Sequence, residues 1–338
     1  MERNFILKLF ITLLISSAFL IFILNYDVKA TNVEESNLMI DEILEGEDTI
    51  LCYDSKTNET TVVDMEELRQ ALKLQRNVTA DTTTTSSYIP KGEAYIISES
   101  LFATPNREGY AAASLDASME IVDNTFVYPH KQTCRLQFKN SRGVTCNGTG
   151  AIIGPNVLLT CSHCVYDQDN NNEKFLEWTA YPGYKGNQYV QGKSGWTRVY
   201  SSGTWAETHK AEYDWAICIL ESDLGNHIGW LGLQSYGQNS HLSNVEVKTL
   251  GYPGEVKYGF NLAANYQYQS RGNVKNVYDR YFTYSGLTVE GFSGGPILRT
   301  SDDFIAGVHH GLTKEGGDPI GVRITQQMVD LVNSLRGE

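Results

Sequence analysis

The sequence predicts an all-β protein, in which antiparallel strands form a pair of β-barrels and a single helix follows at the C-terminus. From about residue 114, short runs rich in Val, Ile, Tyr and Leu alternate with Gly, Asn, Asp and Ser. Thirty Gly and twenty Tyr against eight Pro suit a β-rich fold with many turns. Strands spread over about 225 residues and closed by one helix are typical of two barrels.

The candidate strands are short and separated by turn-forming residues. Helical periodicity is confined to residues 324–335, where Met328, Leu331, Val332 and Leu335 lie at i, i+3, i+4 and i+7. The predicted strands lie at residues 134–138, 150–153, 157–160, 215–220, 245–250, 281–284, 296–299 and 304–309.

Charge and hydropathy exclude several classes of protein. The 338 residues carry a net charge of −13, which argues against a basic nucleic-acid-binding face. A mean hydropathy of −0.30 excludes a polytopic membrane protein. The charge is uneven, since residues 31–112 contribute −10 and residues 113–338 only −4. The acidic balance therefore belongs mostly to an early segment.

Residues 1–30 have the layout of a secretory signal peptide. Arg3 and Lys8 precede sixteen uncharged, mostly apolar residues, 9–24, and Val28-Lys29-Ala30 offers small residues at a cleavage site. The alternative, a single membrane anchor that tethers the protein, requires roughly 20 apolar residues. We therefore expect a secreted protein without stable membrane association, in a compartment where disulfides persist.

Residues 31–112 are predicted to be an acidic pro-segment. Residues 65–72 show a helical pattern without a sustained apolar face, and residues 79–87 are a Thr/Ser-rich run typical of a flexible linker. A disordered tail of the mature protein is the alternative. The sharper interpretation is a removable segment, because residues 113–338 form a complete unit.

Ser293 is the candidate nucleophile. It lies in residues 290–296, Glu-Gly-Phe-Ser-Gly-Gly-Pro. Flanking glycines permit a sharp turn that exposes the hydroxyl and leaves backbone N–H groups free to face a developing oxyanion. A Gly-rich turn around Ser is common, but Gly-x-Ser-Gly-Gly-Pro is much more specific.

His163 and Asp214 are the candidate base and its orienting acid. His163 follows an apolar strand, and a general base of this kind needs a carboxylate partner. Asp214 precedes the apolar run Trp-Ala-Ile-Cys-Ile-Leu, so partial burial is expected. Asp167 and Asp169 are nearer in sequence but lie in a polar loop.

The order His163, Asp214, Ser293 and the sequences around these residues resemble the chymotrypsin-like serine proteases, and more narrowly their V8-like branch of bacterial glutamyl endopeptidases. This resemblance implies two six-stranded antiparallel β-barrels with the site between them, in an enzyme secreted as a zymogen. It covers roughly residues 114–335. The stretches that carry the narrower resemblance are Tyr128-Pro129, residues 153–155, 163–167, 213–214, 251–254, 308–309 and 323–325.

The resemblance implies hydrolysis of peptide bonds by a His163–Asp214–Ser293 triad, with the N–H groups of Gly291 and Ser293 as the oxyanion hole. Trypsin-like enzymes that cleave after Lys or Arg carry Asp six residues before the nucleophile, where this chain has Leu287. The glutamyl branch binds the substrate carboxylate with a His and a hydroxyl, which correspond here to His309 and Thr288. Cleavage after Glu, and less well after Asp, is therefore expected. The adjacent His310 leaves the register of His309 open by one residue.

The cysteines allow several arrangements. The family bridge would correspond to Cys146–Cys164, with Cys134 as a rival partner. Cys161 and Cys218 lie in apolar strands and are expected to be buried thiols. Zinc is the competing hypothesis, since Cys161-x-His163-Cys164 is dense in ligands, but no second ligand pair lies at a sensible spacing.

No metal or other cofactor is expected, although some relatives bind structural calcium. The expected partners are polypeptide substrates and the chain's own pro-segment, with the enzyme monomeric. Two alternatives stay open: a trypsin-like serine protease of other specificity, and a non-catalytic secreted homologue that acts as a binding module.

Overall fold

The computed structural model describes residues 48–76, 85–90, 96–98, 119–254, 265–313 and 317–336. The fold described below is that of the compact unit Thr49–Glu338. The predicted signal peptide, residues 1–30, lies outside the described residues. Among those described, none of the helices is long and apolar enough to cross a membrane.

Strands dominate the described residues, as the sequence predicts. The helices are α1 (Met65–Arg76), α2 (Gly203–Thr208), α3 (Leu224–Ile228) and α4 (Gln326–Arg336). The strands are β1 (Ile50–Asp54), β2 (Glu59–Val62), β3 (Ile96–Ser98), β4 (Met119–Ile121), β5 (Thr133–Lys139), β6 (Thr145–Ile152), β7 (Val157–Thr160), β8 (Tyr166–Asp167), β9 (Glu173–Lys174), β10 (Leu176–Pro182), β11 (Gln188–Val190), β12 (Trp196–Ser202), β13 (Ala216–Leu220), β14 (Glu246–Gly251), β15 (Tyr268–Val277), β16 (Tyr281–Tyr284), β17 (Pro296–Arg299), β18 (Ile305–Leu312) and β19 (Pro319–Arg323).

The C-terminal half forms a closed antiparallel barrel. Its strands follow the order β14-β17-β18-β19-β16-β15, and a direct β14–β15 pairing closes the circle, with β4 added outside on β15. Phe282, Ile297 and Val274 fill its interior, and α4 follows the last strand. Six strands in a ring agree with the predicted second barrel.

The N-terminal half forms the first barrel from β10-β5-β6-β7-β13-β12. Its two ends meet at Ala180 and Ser194, whose backbones exchange hydrogen bonds of 2.9 and 3.1 Å just before β12. Strands β7 and β13 read Val-Leu-Leu-Thr and Ala-Ile-Cys-Ile-Leu and are almost entirely buried. Such unbroken apolar runs are expected of strands with a core on one side and a neighbouring layer on the other.

Two further strands extend this sheet beyond the predicted six. The hairpin of β1 and β2, from within the predicted pro-segment, pairs antiparallel with the outer edge of β12. Helix α1 covers the helical pattern seen in the sequence, but unlike the expectation it buries Met65 and Leu72. Residues 79–84 of the predicted linker lie outside the described residues. Thr85 is buried, because it pairs with Leu233.

The predicted Cys146–Cys164 disulfide is not formed in this structure, where all six cysteines are free thiols. Cys164 Sγ instead lies 3.4 Å from the Ser293 carbonyl oxygen and packs beneath Gly148. Cys146, two residues earlier on β6, directs its thiol to the Val144 carbonyl oxygen. The rival partner Cys134 is also free and is fully buried.

Candidate active site

His163 and Asp214 come together because their strands are neighbours. Strand β7 runs directly into a single 3₁₀ turn, Ser162–Cys164, that carries His163. Strand β13 pairs with β7 and begins two residues after Asp214. The Ser162 hydroxyl donates to the Trp215 carbonyl oxygen at 2.6 Å and ties the turn to the start of β13.

The pair makes two hydrogen bonds. The backbone N–H of His163 donates to Asp214 Oδ1 at 3.0 Å, and His163 Nδ1 makes a short hydrogen bond with Asp214 Oδ2. Asp214 is fully buried, whereas the His163 side chain is 24% exposed. The imidazole is thus held with Nδ1 toward the acid, which leaves Nε2 as its remaining ring nitrogen.

Electrostatics favour a charged pair. Burial alone would lower the pKa of His163, but the Asp214 carboxylate outweighs it and raises that pKa well above its ordinary value. Burial acts against ionisation of Asp214, and His163 and His310 overcome it, so the pKa of Asp214 falls below its ordinary value. The arrangement stabilises an imidazolium next to a carboxylate, as a general base requires.

His310 is a second imidazole on the same carboxylate, which the sequence reasoning missed. Its Nδ1 lies 2.6 Å from Asp214 Oδ2, and its ring meets that of His163 edge-on at 5.5 Å. The only sequence signal was its position next to His309. The two neighbouring side chains lie where the register of β18 against β19 shifts: His309 is buried in the barrel and bonds to Tyr284, whereas His310 faces Asp214.

Ser293 lies on the predicted sharp turn between Thr288 and β17. Gly291 has φ +97°, and a Cβ there would lie 2.3 Å from the Tyr252 carbonyl oxygen, so the turn requires glycine. The Ser293 hydroxyl is directed to the His310 carbonyl oxygen at 3.3 Å. The structure thus places Ser293 against His310, a neighbour of Asp214, and among the described residues its hydroxyl makes no hydrogen bond to His163. Catalytic hydrogen bonds are often loose in free enzymes.

Thr149 on β6 fastens this turn to the first barrel and was not predicted. Its N–H donates to the Ser293 carbonyl oxygen at 2.8 Å, and its hydroxyl donates to the Gly291 carbonyl oxygen at 2.7 Å. The same hydroxyl accepts the N–H of Tyr252 at 3.0 Å. One fully buried threonine therefore sets the distance between the turn that carries Ser293 and the barrel that carries His163.

The predicted oxyanion hole contains backbone N–H groups that are available to a ligand. The N–H groups of Phe292, Gly294 and Gly295 are used within the turn or by β18. Over the part of the chain that the structure describes, neither the Gly291 N–H nor the Ser293 N–H has an assigned acceptor. The free N–H groups of Ser293 and of the residue two positions before it are what a developing oxyanion needs.

His309 and Thr288 both lie close to this turn and are buried. His309 Nδ1 lies 2.9 Å from the Tyr284 hydroxyl, which accepts a hydrogen bond from Thr249 at 3.0 Å. Burial raises the pKa of Tyr284, so its proton stays in place and is donated to His309 Nδ1. Burial, aided by His310 and His163, lowers the pKa of His309 to about 3. His309 is therefore neutral at pH 7, with its proton on Nε2.

Thr288 is an unusual buried hydroxyl. It is 5% exposed, and within the part of the chain that the structure describes its Oγ1 has no hydrogen-bond partner. Buried hydroxyls are normally bonded, so an unpaired one five residues before Ser293 is ready for a ligand.

An open cleft of about 390 Å³ lies beside His163 and His310. It gives the imidazoles access to a ligand, and its far side is polar. The lining residues are His163, Tyr166, Asp167, Gln168, Asp169, Phe175 and His310.

Cys161, His163 and Asp214 offer three donor atoms within 4.8 Å of one another, a grouping that could in principle hold a metal ion. Their donors are already engaged, however. Cys161 Sγ donates to the His309 carbonyl oxygen at 3.2 Å, and burial raises the pKa of this thiol. A metal would need the thiolate and would compete with the His163–Asp214 bond.

A His–Asp pair on one barrel and a Ser in a Gly-rich turn of the other are the arrangement of a chymotrypsin-like serine protease. The chain belongs to the trypsin family, whose model matches residues 121–331.

Two curated relatives match half of the chain. A glutamyl endopeptidase from Bacillus licheniformis is 30% identical over 180 residues, 53% of this chain and 52% of the relative. A Bacillus subtilis (strain 168) protein named extracellular metalloprotease is 28% identical over 183 residues, 54% of this chain and 56% of the relative. The match thus spans about half the length of these relatives.

Solved structures share the fold. A Glu endopeptidase solved in complex with MPD matches with a TM-score of 0.58 and 25% identity, over 66% of this chain and 99% of that one. A thermostable serine protease from an extremophilic microorganism matches with a TM-score of 0.52 at 16% identity, over 60% of this chain and 96% of that one. The second likeness concerns the fold alone.

Proposed function

We propose that this protein is a secreted serine endopeptidase, made as a zymogen, that cleaves peptide bonds after Glu and less well after Asp. The observation that carries the protease activity is the buried Asp214 bonded to His163 beside the Ser293 turn. The glutamyl specificity is carried by the unpaired Thr288 hydroxyl and the neutral His309.

The proposed reaction follows the charges of the site. A small rotation turns the Ser293 hydroxyl from the His310 carbonyl oxygen to His163 Nε2, which takes its proton as Oγ attacks the peptide carbonyl. Asp214 stabilises the imidazolium, and the N–H groups of Gly291 and Ser293 hold the oxyanion. His163 then protonates the leaving amine, and water releases the acyl group from Ser293. No cofactor enters this sequence.

The proposed carboxylate site uses neutral donors. With Nδ1 occupied by Tyr284, His309 carries its proton on Nε2, and the ring also makes a hydrogen bond with the Ile320 backbone. A substrate carboxylate would replace that backbone partner, and the Thr288 hydroxyl supplies a second donor. Hydrogen bonds to a carboxylate are stronger than neutral ones. A bound carboxylate also favours the protonated form of His309 and would raise its low pKa. The name of the Bacillus licheniformis relative supports the same substrate class.

Secretion and maturation rest on other observations. The layout of residues 1–30 and the name of the Bacillus subtilis relative, extracellular metalloprotease, support export. The acidic segment 31–112 supports a zymogen, with cleavage near residues 112–114. N-terminal sequencing of the protein from culture medium tests both.

A metal-dependent protease is the competing activity, since that relative's name says metalloprotease and Cys161, His163 and Asp214 lie close together. The protonated, hydrogen-bonded Cys161 thiol favours the serine mechanism instead. Inhibition by a fluorophosphonate but not by a chelator would agree with the serine mechanism, and the reverse result would contradict it.

Quenched peptides that differ at one residue test the specificity. We expect cleavage after Glu to exceed cleavage after Asp, and Phe or Lys at that position to be poor. Ser293→Ala should lower kcat by about 10⁴-fold or more, as losses of a catalytic serine do. A folded Ser293→Ala protein with full activity would remove the serine mechanism, and preferred cleavage after Lys or Phe would remove only the carboxylate site. A wild type that cleaves no peptide would favour the binding-module alternative.

A further inference from the structure

We propose that residues 49–76 and 85–90 stay bound to the protease domain after the chain is cut, as a permanent outer layer of the first barrel. This proposal rests on the proposed maturation, in which a cut near residues 112–114 separates them covalently from that domain. It differs from the expectation that the segment is discarded. Three independent contact regions carry it.

The first region is the β1–β2 hairpin, which continues the sheet. All five residues of β1 pair in register with β12, from Ile50 opposite Ser202 to Asp54 opposite Arg198. Both ends are fixed by backbone hydrogen bonds, from Gly203 N–H to the Thr49 carbonyl oxygen at 2.7 Å and from Ser55 N–H to Thr197 at 2.8 Å. Without β1, the edge of β12 would present unpaired backbone groups, which proteins usually cover.

The two strands of the hairpin differ in burial, as expected where a protein core meets solvent. Ile50 is 1% exposed and belongs to the core of the first barrel. Tyr53 packs edge-on against Trp196 at 5.9 Å, and the Lys174 ammonium lies 3.9 Å from the Tyr53 ring centroid. Every residue of β2, in contrast, is exposed. The apolar layer therefore ends at β1, and the solvent-facing surface begins at β2.

The second region is the contact of α1 with the C-terminal helix α4. Met65 and Leu72 are buried, and Met65 belongs to the same core as residues of α4. Asp64 accepts the N–H of Glu67 at 2.9 Å and caps the start of α1. Arg69 Nε lies 2.8 Å from Asp330 Oδ2 on α4, in a salt bridge that is largely shielded.

The third region is the strap of residues 85–90. Tyr88 and Trp230 exchange backbone hydrogen bonds of 3.0 and 2.9 Å, and their rings lie 4.6 Å apart. Gly229 fits beneath this strap, because a Cβ there would lie 2.1 Å from the Tyr88 carbonyl oxygen. Arg336, at the end of α4, donates to the Ser86 carbonyl oxygen at 2.8 Å. The protease domain is shaped to receive the strap.

Together these regions act as one multivalent ligand. Once one region is bound, the others bind at high effective concentration, since residues 77–84 connect them. A cut near residues 112–114 leaves all three regions on the same fragment. The partner of this surface is thus the chain's own N-terminal fragment, held by strand addition and apolar contacts.

The test cuts the chain at a chosen point, independently of natural maturation. A site for a sequence-specific protease is inserted within residues 104–113 of the full chain carrying Ser293→Ala, which prevents self-digestion. After complete cleavage, shown on a denaturing gel, gel filtration at about 1 µM should keep both fragments in one peak, a retention that requires micromolar affinity or better. Separation into two peaks would overturn the proposal. Failure of the proposed activity or maturation does not affect this assay, because the cut is introduced from outside.

Matched variants test which contacts hold the fragment. Ile50→Lys should weaken binding by about tenfold or more, as expected for a charge placed in the apolar contact, whereas Thr60→Lys on the exposed β2 should bind as the parent does. If Ile50→Lys prevents folding, the salt bridge gives a second measure. Asp330→Arg should weaken binding a few-fold, and adding Arg69→Asp should restore it. Equal binding by Ile50→Lys and Thr60→Lys would contradict the β1 docking.

Discussion

In the first barrel, His163 and Asp214 are fixed by adjacent strands, since β7 and β13 pair directly and Ser162 links their ends. In the second barrel, Ser293 lies on a turn whose position depends on groups outside it. Thr149 and Cys161 of the first barrel bond to the Ser293, Gly291 and His309 carbonyl oxygens. The His163–Asp214 pair is therefore held within one sheet, whereas the position of Ser293 relative to this pair depends on contacts between the barrels.

This difference predicts two kinds of effect of substitutions on activity. Changes within the pair should remove the chemistry without moving the barrels. Changes at the contacts between barrels should leave the pair charged and correctly bonded while they misplace Ser293.

Asp214→Asn should have the largest effect, because it removes the charge while keeping the shape. Without the carboxylate, burial alone acts on His163 and lowers its pKa, and the preferred tautomer is lost. We expect kcat to fall by about 10⁴-fold, as for other Ser-His-Asp enzymes. Steady-state kinetics on a P1-Glu peptide measure this, with Asp223→Asn, at an exposed helix start, as the control. A decrease of less than tenfold would argue against Asp214 as the orienting acid.

Thr149→Val should act through alignment. The hydroxyl that bonds Gly291 and Tyr252 is lost, which leaves a buried carbonyl and a buried N–H unpaired at about 1–3 kcal/mol each. We expect a lower melting temperature and a kcat lower by about 10- to 100-fold, since small misplacements of reacting groups are costly. Thr145→Val, on the same strand but exposed, should change neither quantity. Loss of stability with an unchanged kcat would show that Thr149 supports the fold but not the alignment.

The sequence predicted those strands that are apolar along their whole length. Strands β7, β16 and β17 agree with the predicted ranges, because each is a short apolar run between turn residues. The prediction missed β12 and β15, which mix buried and charged residues since they lie partly at the surface of their sheets. Pattern alone does not separate such strands from loops.

The sequence predicted the candidate site residues that lie in recognisable local motifs. Local motifs led to His163 and Asp214, which contact each other, and to Ser293, whose hydroxyl is directed to the neighbouring His310. The role of Thr149 was not predictable, because it arises from contacts with residues more than 100 positions away. The docking of residues 49–76 was missed for a similar reason: α1 has only a narrow apolar stripe, and its partner α4 lies at the other end of the chain.

Tyr284→Phe should have a smaller, selective effect on the proposed carboxylate site. It removes the donor to His309 Nδ1 and leaves the His309 ring free to change tautomer. We expect kcat/KM for P1-Glu substrates to fall by about 3- to 10-fold, the value of one hydrogen bond, while slow cleavage after other residues changes little. Tyr281→Phe, on the same strand, provides the control. An equal loss for all substrates would place Tyr284 in the support of the barrel instead of in specificity.

His310→Gln should give the smallest change in rate and the clearest change with pH. In the wild type, activity requires neutral His163, whose pKa is raised, so kcat/KM should rise with pH through an apparent pKa above 6.5. Stability should have the opposite sign: the contribution of the raised His163 pKa is complete below about pH 6.5 and is lost as pH rises through the higher folded value.

The two titratable side chains in contact with Asp214 are His163 and His310, and after His163 the hydrogen bond from His310 helps to keep the pKa of Asp214 low. Glutamine preserves a hydrogen-bond donor but removes the second imidazole, so His163 no longer shares Asp214 Oδ2 with another ring and interacts more strongly with that carboxylate. We therefore expect the acidic limb of the pH–rate profile to move to higher pH, with kcat at its plateau reduced only a few-fold. An unmoved limb would mean that His310 acts as a hydrogen-bond donor without electrostatic influence on the pair. If the acidic limb of the pH–rate profile moves to lower pH instead, Asp214 is positioned mainly by its hydrogen bond with His310. The contact with the second barrel would then matter more for Asp214 than the β7–β13 pairing of the first barrel.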